Sequence, residues 1–326
     1  MAYPVLTHRF MAERGMTRTL NQRTLKVPVT CAGVGLHTGA TVALRIMPGR
    51  PDTGIVLVRT DLPGKPEVKA TAANVVDTSL ATTLGTSSYR IHTVEHVLAA
   101  LAGLGIDNAR IELDGPEVPI MDGSAAPFAE LIVEAGVREQ DVPKSFIVIK
   151  RSVTVRDGDK HATLQPGRGF RVDCTIDFKH PLISDQTVSL TFSDRTFMRE
   201  VSGARTFGFL RDVEKLKAMG LAKGGSLENA IVVDDFSILN PEGLRFPDEF
   251  VRHKVLDAVG DISLLGLPVI GHLTAYKSGH ALNHALVTKV LSETSHYAVV
   301  RARARDVAHY DLRLDELEES LAPTAA

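Results

Sequence analysis

His253, Asp257 and Asp261 stand four positions apart in one segment. Four-residue steps on a helix put side chains on one face, each a turn above the last. A neutral imidazole and a carboxylate at i, i+4 can grip one divalent ion, and a mixed N/O set suits zinc. The same spacing also describes a solvated polar stripe, so alone it does not establish a metal site. A second cluster, His92-Thr93-Val94-Glu95-His96, has the form H-x-x-E-H. That is the inverted zinc-protease signature, in which both histidines bind metal and the glutamate activates water. Read blandly, His92 is a loop residue and His96 opens an apolar helix. Glu95 argues for function, because an ionised carboxylate at the start of so apolar a helix is costly to bury unless a cation compensates. A third place is Lys277-Ser278-Gly279-His280, just after a strand. A histidine beside Gly279 at a strand end is well placed to approach a ligand.

The elements that must position these groups can be read from periodicity. Strands are expected at 41–46, 55–58 and 109–113, with a helix over 93–104 rich in Ala and Leu and stopped by Gly103 and Gly105. Residues 119–124 form a turn, after which Ser124 is placed to cap a helix over 126–135 with Pro127 in its first turn. The stretch 141–145 interrupts the pattern and marks a boundary. Strands follow at 146–156, 161–165, 170–178 and 187–192, with hairpin chemistry at Asp157-Gly158-Asp159. Helices are expected near 194–200 and 212–218, then a long one over 248–265, a strand over 269–276 and a closing helix over 278–293. Strands followed by helices, twice over, predict two α+β domains. The first, 21–143, carries Glu95 and His96. The second, 144–313, carries His253, Asp257, Asp261 and His280. Residues 1–20 are expected to be a poorly ordered extension and 314–326 a frayed acidic tail.

Bulk properties exclude several classes. The chain has 326 residues and a net charge of −2, so no global basic field attracts nucleic acid or anionic lipid. Only two cysteines are present, Cys31 and Cys174, which rules out a disulfide framework and a Cys-rich structural zinc site. The start carries scattered charges and no apolar stretch of signal-peptide length. No run approaches the roughly 18 apolar residues of a membrane span. A cytoplasmic, monomeric protein is expected.

Several ordered motifs resemble one family. They are Gly33-Val34-Gly35-Leu36-His37-Thr38-Gly39, the stretch from His92 to Leu101, and Pro119-Ile120-Met121-Asp122-Gly123-Ser124. Further on stand Ala204-Arg205-Thr206-Phe207-Gly208-Phe209, Arg252-His253-Lys254-Val255-Leu256-Asp257 and Ser278-Gly279-His280-Ala281-Leu282. From about Gln22 to Leu286 the chain resembles the UDP-3-O-acyl-N-acetylglucosamine deacetylases, zinc amidases of lipid A biosynthesis in Gram-negative bacteria. The resemblance implies a two-domain α+β fold with each sheet packed on a pair of helices and the site between the domains. It implies one Zn2+ on His96, His253 and Asp257, with Fe2+ able to use the same ligands, and it removes His92 from the ligand set. It assigns Glu95 as general base, Thr206 and His280 to the oxyanion, His280 also to the leaving amine, and Asp261 to orienting His280. For the substrate, an acylated UDP-N-acetylglucosamine, it points to Lys254 and Gly279, to Phe207 and Phe209 beside the acyl passage, and to Phe178 against uracil. Ala81 stands where some members carry Cys, so no protein thiolate is expected to compete at the metal. Two other readings stay open: an H-x-x-E-H zinc peptidase, and a non-catalytic nucleotide-sugar or acyl-chain binding module.

Overall fold

The computed structural model of the chain describes residues 21–302; the expectations for 1–20, for 303–313 and for the 314–326 tail lie outside the described residues. Alternation builds the first sheet. In β3 (Thr41–Pro48), after β1 (Asn21–Leu25) and β2 (Val29–Val34), Val42, Leu44 and Ile46 face inward and their neighbours face out. Next come β4 (Ile55–Arg59), β5 (Glu67–Lys69), the short hairpin strands β6 (Val75–Asp77), β7 (Thr83–Gly85) and β8 (Arg90–Ile91), and then β9 (Ala109–Leu113). The order β2-β3-β9-β4-β5 forms a five-stranded sheet in which only β4 and β9 run parallel. Helices α1 (Glu95–Gly103) and α2 (Ala126–Ala135) belong to this half. Strand β10 (Val137–Pro143) turns back to pair with β1.

The second half has a seven-stranded sheet. Its strands are β11 (Ser145–Ile149), β12 (Val153–Asp157), β13 (Lys160–Gln165), β14 (Phe170–Ile176), β15 (Gln186–Thr191), β18 (Val269–Tyr276) and β19 (Tyr297–Arg301). The long strand β18 is its hub, pairing with β13, β14 and β11. The predicted hairpin forms at Gly158-Asp159, with Gly158 at φ +60. A short helix α3 (Asp194–Thr196) runs into a π turn. A parallel pair of three-residue strands, β16 (Phe207–Phe209) and β17 (Ile231–Val233), brackets α4 (Leu210–Ala218). Helices α5 (Glu249–Ile262) and α6 (His280–Leu291) pack beside the sheet.

The two halves meet where α1 lies on α5. Both helices are buried nearly all round, so neither has a solvent face on which to place polar groups freely. Gly260 makes the contact possible. A Cβ there would lie 2.2 Å from the Glu95 carbonyl oxygen, so a residue that weakens a helix interior is required by close approach. The crossing sets Glu95 and His96 against the polar face of α5.

Several expectations are corrected. The 146–156 strand is two strands, the helix predicted over 248–265 ends at Ile262 and finishes as a 3-10 turn, and the final helix is shorter than 278–293. The 141–145 stretch, expected to interrupt the pattern, is nearly continuous strand: β10 runs to Pro143 and β11 starts at Ser145. Ser124 does not hold the formal cap position, which is Ala125; its Oγ still accepts from the Ala126 N–H at 3.2 Å. Among the strands not expected are β5 to β8, β10, β16, β17 and β19.

Candidate active site

Helix α5 supplies His253 and Asp257 from one face, and α1 supplies His96 from across the crossing. Nitrogen or oxygen atoms of the three lie within 4.8 Å of one another, all buried. The donor arrangement is decided by a hydrogen bond behind it. His253 Nδ1 sits 3.0 Å from the Ala204 carbonyl oxygen, which can only accept. Nδ1 therefore carries the proton, and Nε2 presents a lone pair. Burial holds this ring neutral by pushing its pKa down to about 3. Its Nε2 faces Asp257 Oδ1 at 3.3 Å, and His96 Nε2 faces the same oxygen at 3.7 Å. Asp257 Oδ1 accepts no hydrogen bond among the described residues. A carboxylate oxygen against an imidazole lone pair is repulsive unless a cation sits between them. An orphaned buried oxygen and an N/N/O set fit a zinc-like ion.

The other Asp257 oxygen is held by Lys254 Nζ at 2.7 Å. Burial alone would raise the Asp257 pKa, but the positive charge around it, with the Lys254 ammonium in direct contact, outweighs burial and holds the carboxylate well below its usual range. Glu95 is the opposite case: burial dominates and raises its pKa. Its Oε2 accepts from the Thr82 N–H at 3.0 Å and its Oε1 lies 3.7 Å from His280 Nε2. His280 Nδ1 is 2.9 Å from Asp261 Oδ2. Burial disfavours a charged His280 ring, yet Asp261 and Glu95 outweigh burial and push its pKa up to about 10. Both Asp261 oxygens are engaged: Thr82 Oγ1 donates to Oδ1 at 2.5 Å and Asn283 Nδ2 to Oδ2 at 2.9 Å.

The cluster forms the floor of a cavity of about 490 Å³. Thr206, Phe207, Phe209, Lys254 and His280 line it. Leu210, Val213 and Leu216 of α4, with Val232 and Leu239, add apolar lining to it. Thr206 is fixed by the predicted 119–124 turn, its N–H donating to the Gly123 carbonyl at 2.7 Å. Gly123 is at φ +87 with Asn229 O 2.2 Å from where a Cβ would stand, so only glycine fits that turn. Phe178 does not line the cavity but backs it, with its ring 5.6 Å from Phe207 and 5.7 Å from Phe209. Gly279 precedes α6 and does not line the cavity either.

Residues 22–292 match the family model described as UDP-3-O-acyl N-acetylglycosamine deacetylase. The chain belongs to this family. It is 64% identical over 301 residues to the UDP-3-O-acyl-N-acetylglucosamine deacetylase of Myxococcus xanthus (strain DK1622), covering 92% of this chain and 96% of that protein. It is 59% identical to the protein of the same name from Anaeromyxobacter sp. (strain Fw109-5), covering 86% and 92%. It is 55% identical to that of Pseudomonas entomophila (strain L48), covering 86% and 93%. The α+β class expected for the deacetylases is the class observed. No helix among the described residues is long and apolar enough to cross a membrane.

His92 stands apart from the cluster. Its Nδ1 lies 3.0 Å from Thr83 Oγ1 and its pKa is lowered chiefly by burial. The peptidase reading, which needs His92 as a ligand, therefore loses its second histidine. Ala81 is buried and has no atom that coordinates. Sequence reading gave no role to His37, Thr82 or Asn283. His37 lines the cavity with a buried Nδ1 that has no hydrogen-bond partner among the described residues. Asn283 had a legible signal, since it lies three residues after His280 on the same helix face. Thr82 had none.

Proposed function

We propose that this deacetylase hydrolyses the N-acetyl group of UDP-3-O-acyl-N-acetylglucosamine, releasing acetate, as a zinc-dependent step of lipid A biosynthesis. The observation that carries the reading is the unbonded Asp257 Oδ1 facing the two imidazole nitrogens, with Glu95 and His280 beside it. His96, His253 and Asp257 would hold the ion. Bound there, zinc lowers the pKa of a coordinated water and polarises a carbonyl.

The protein groups supply the rest. Glu95 has its Oε2 held by a backbone N–H and its Oε1 turned toward His280, which leaves that oxygen to take a proton from water. Its raised pKa makes it a stronger base than an exposed glutamate. His280, kept cationic by Asp261, faces the developing oxyanion and protonates the leaving amine. The Thr206 hydroxyl is a second donor to that oxyanion. Lys254 restrains Asp257 and offers its remaining hydrogens to the substrate. The apolar lining around Phe207 and Phe209 suits the fatty acyl chain, and Phe178, partly exposed behind both rings, would take the uracil on its free face outside the cavity. Gly279 leaves open space for substrate at the start of α6.

Acetate release from the UDP-linked substrate tests the reading. Glu95→Ala should keep its zinc and turn over about 10²–10⁴ times more slowly. Normal turnover by Glu95→Ala would remove the base assignment, and no acetate from the wild type would leave only a binding module.

A further inference from the structure

Thr82 touches both halves of the catalytic apparatus. Its carbonyl oxygen accepts from the Val94 N–H at 3.2 Å, just before α1. Its own N–H donates to Glu95 Oε2 at 3.0 Å. Its hydroxyl donates to Asp261 Oδ1 at 2.5 Å, a residue 179 positions away on α5. An ionised carboxylate only accepts, so the direction of that bond is fixed. The hydroxyl oxygen then lies 3.4 Å from His280 Nδ1, the nitrogen that bonds the other oxygen of Asp261. The side chain is 1% exposed and β-branched, so its χ1 has little freedom to aim the hydroxyl elsewhere.

We infer that Thr82 is a positioning residue that sets the general base and the general acid of this site against each other across the α1–α5 crossing. The inference rests on the reading of Glu95 and His280 under Proposed function. Asp261 has three donors on its carboxylate: Thr82, His280 and Asn283. His280 and Asn283 both belong to α6 and both bond Oδ2. Among the described residues, Thr82 alone holds Oδ1, and it does so from the first half of the chain. Without its hydroxyl the carboxylate can rotate toward α6 and carry the His280 ring away from Glu95. Misplacement of a catalytic group by about 1 Å is enough to slow turnover on the order of a hundredfold. The main-chain bond to Glu95 survives any side-chain change, so the hydroxyl's part can be tested separately.

The test is a steady-state kinetic comparison of zinc-loaded full-length Thr82→Val, Thr82→Ser and Glu95→Ala, with metal content and thermal midpoint measured on each. Thr82→Val should lower kcat about ten- to a hundredfold, the range for losing a partner of a site ligand or orienter, with KM within about twofold. Thr82→Ser should recover most of that loss. A double-mutant cycle with Asp261→Asn separates positioning from packing. In the Asp261→Asn background, Thr82→Val should slow the enzyme by less than about threefold further, because the partner it acts through is already changed. Losses that multiply, a Thr82→Ser as slow as Thr82→Val, or an effect confined to KM would overturn the inference. Should Thr82→Val not fold, Thr82→Ala enters the same cycle under the same criteria. If Glu95→Ala is slow while Thr82→Val keeps at least half the wild-type kcat, the Thr82 assignment alone falls. If Glu95→Ala is as fast as wild type, the functional reading falls and takes this inference with it.

Discussion

Glu249 and Asp257 are buried carboxylates about two turns apart on the same helix, and their surroundings are opposite in kind. Both Glu249 oxygens are occupied: Oε1 accepts from the Arg205 main-chain N–H and Nε, and Oε2 from Arg205 Nη2 and the Arg245 N–H. Asp257 has one oxygen on Lys254 and the other on nothing, pointed at two imidazoles. Glu249 is a finished polar site and acts as scaffold, anchoring the start of α5 to the segment that carries Thr206. Asp257 is unfinished among the described residues, and the bound ion proposed above would complete it. Buried polar groups are paired as a rule, and Asp257 Oδ1 is the only carboxylate oxygen among the unpaired buried atoms of the described residues, which marks it as a place where a cation fits.

The comparison breaks most visibly at Asp257. Asp257→Asn should abolish metal retention and with it turnover, while the metal-free chain stays folded, because the side chain it replaces is strained without the ion. A metal-free thermal midpoint well below that of wild type would show instead that Asp257 is scaffold. Glu249→Gln should do the reverse. It leaves the buried Arg205 guanidinium with only the half-exposed Glu242 as an anionic partner and should destabilise the fold by about 1–3 kcal/mol, the range for leaving a buried polar group poorly satisfied. Folded Glu249→Gln should bind metal normally; a denaturant midpoint unchanged from wild type would contradict the scaffold role.

A smaller effect comes from Glu117, a second finished carboxylate. Burial would raise its pKa, but donors from Thr38, His37 and Thr93 outweigh burial and lower it. It helps hold Thr93, which sits at φ +58 just before α1, a strained conformation for a β-branched residue. A depressed folded pKa means its stabilising contribution is present above the unfolded value, near 4.5, and is lost as pH falls through the lower folded value. The stability gap between wild type and Glu117→Gln should therefore be widest near neutral pH and narrow below pH about 4.5. A gap that widens on acidification would reverse the assignment.

Much of this was legible from residues and spacing. Period-two alternation located β3, and the i, i+4 step paired His253 with Asp257 before any fold was known. Motif spacing went wrong at His92, because H-x-x-E-H puts both histidines on one helix, whereas here the helix starts at Glu95. Resemblance over the whole chain, not local pattern, selected His96. The parts that could not be read were short or distant. Three-residue strands such as β16 and β17 are too brief to show a period. The Thr82–Asp261 contact joins residues 179 apart through an approach that only Gly260 permits.

The central claim is that one catalytic ion is held by His96, His253 and Asp257. Elemental analysis of the purified wild-type chain and of Asp257→Asn, each paired with its rate of acetate release, tests it most directly. The account predicts about one zinc per wild-type chain, loss of both metal and acetate release in Asp257→Asn, and restoration of a chelated wild type by added zinc. Zinc retained in full by Asp257→Asn, or undiminished acetate release from the metal-free wild type, would contradict it.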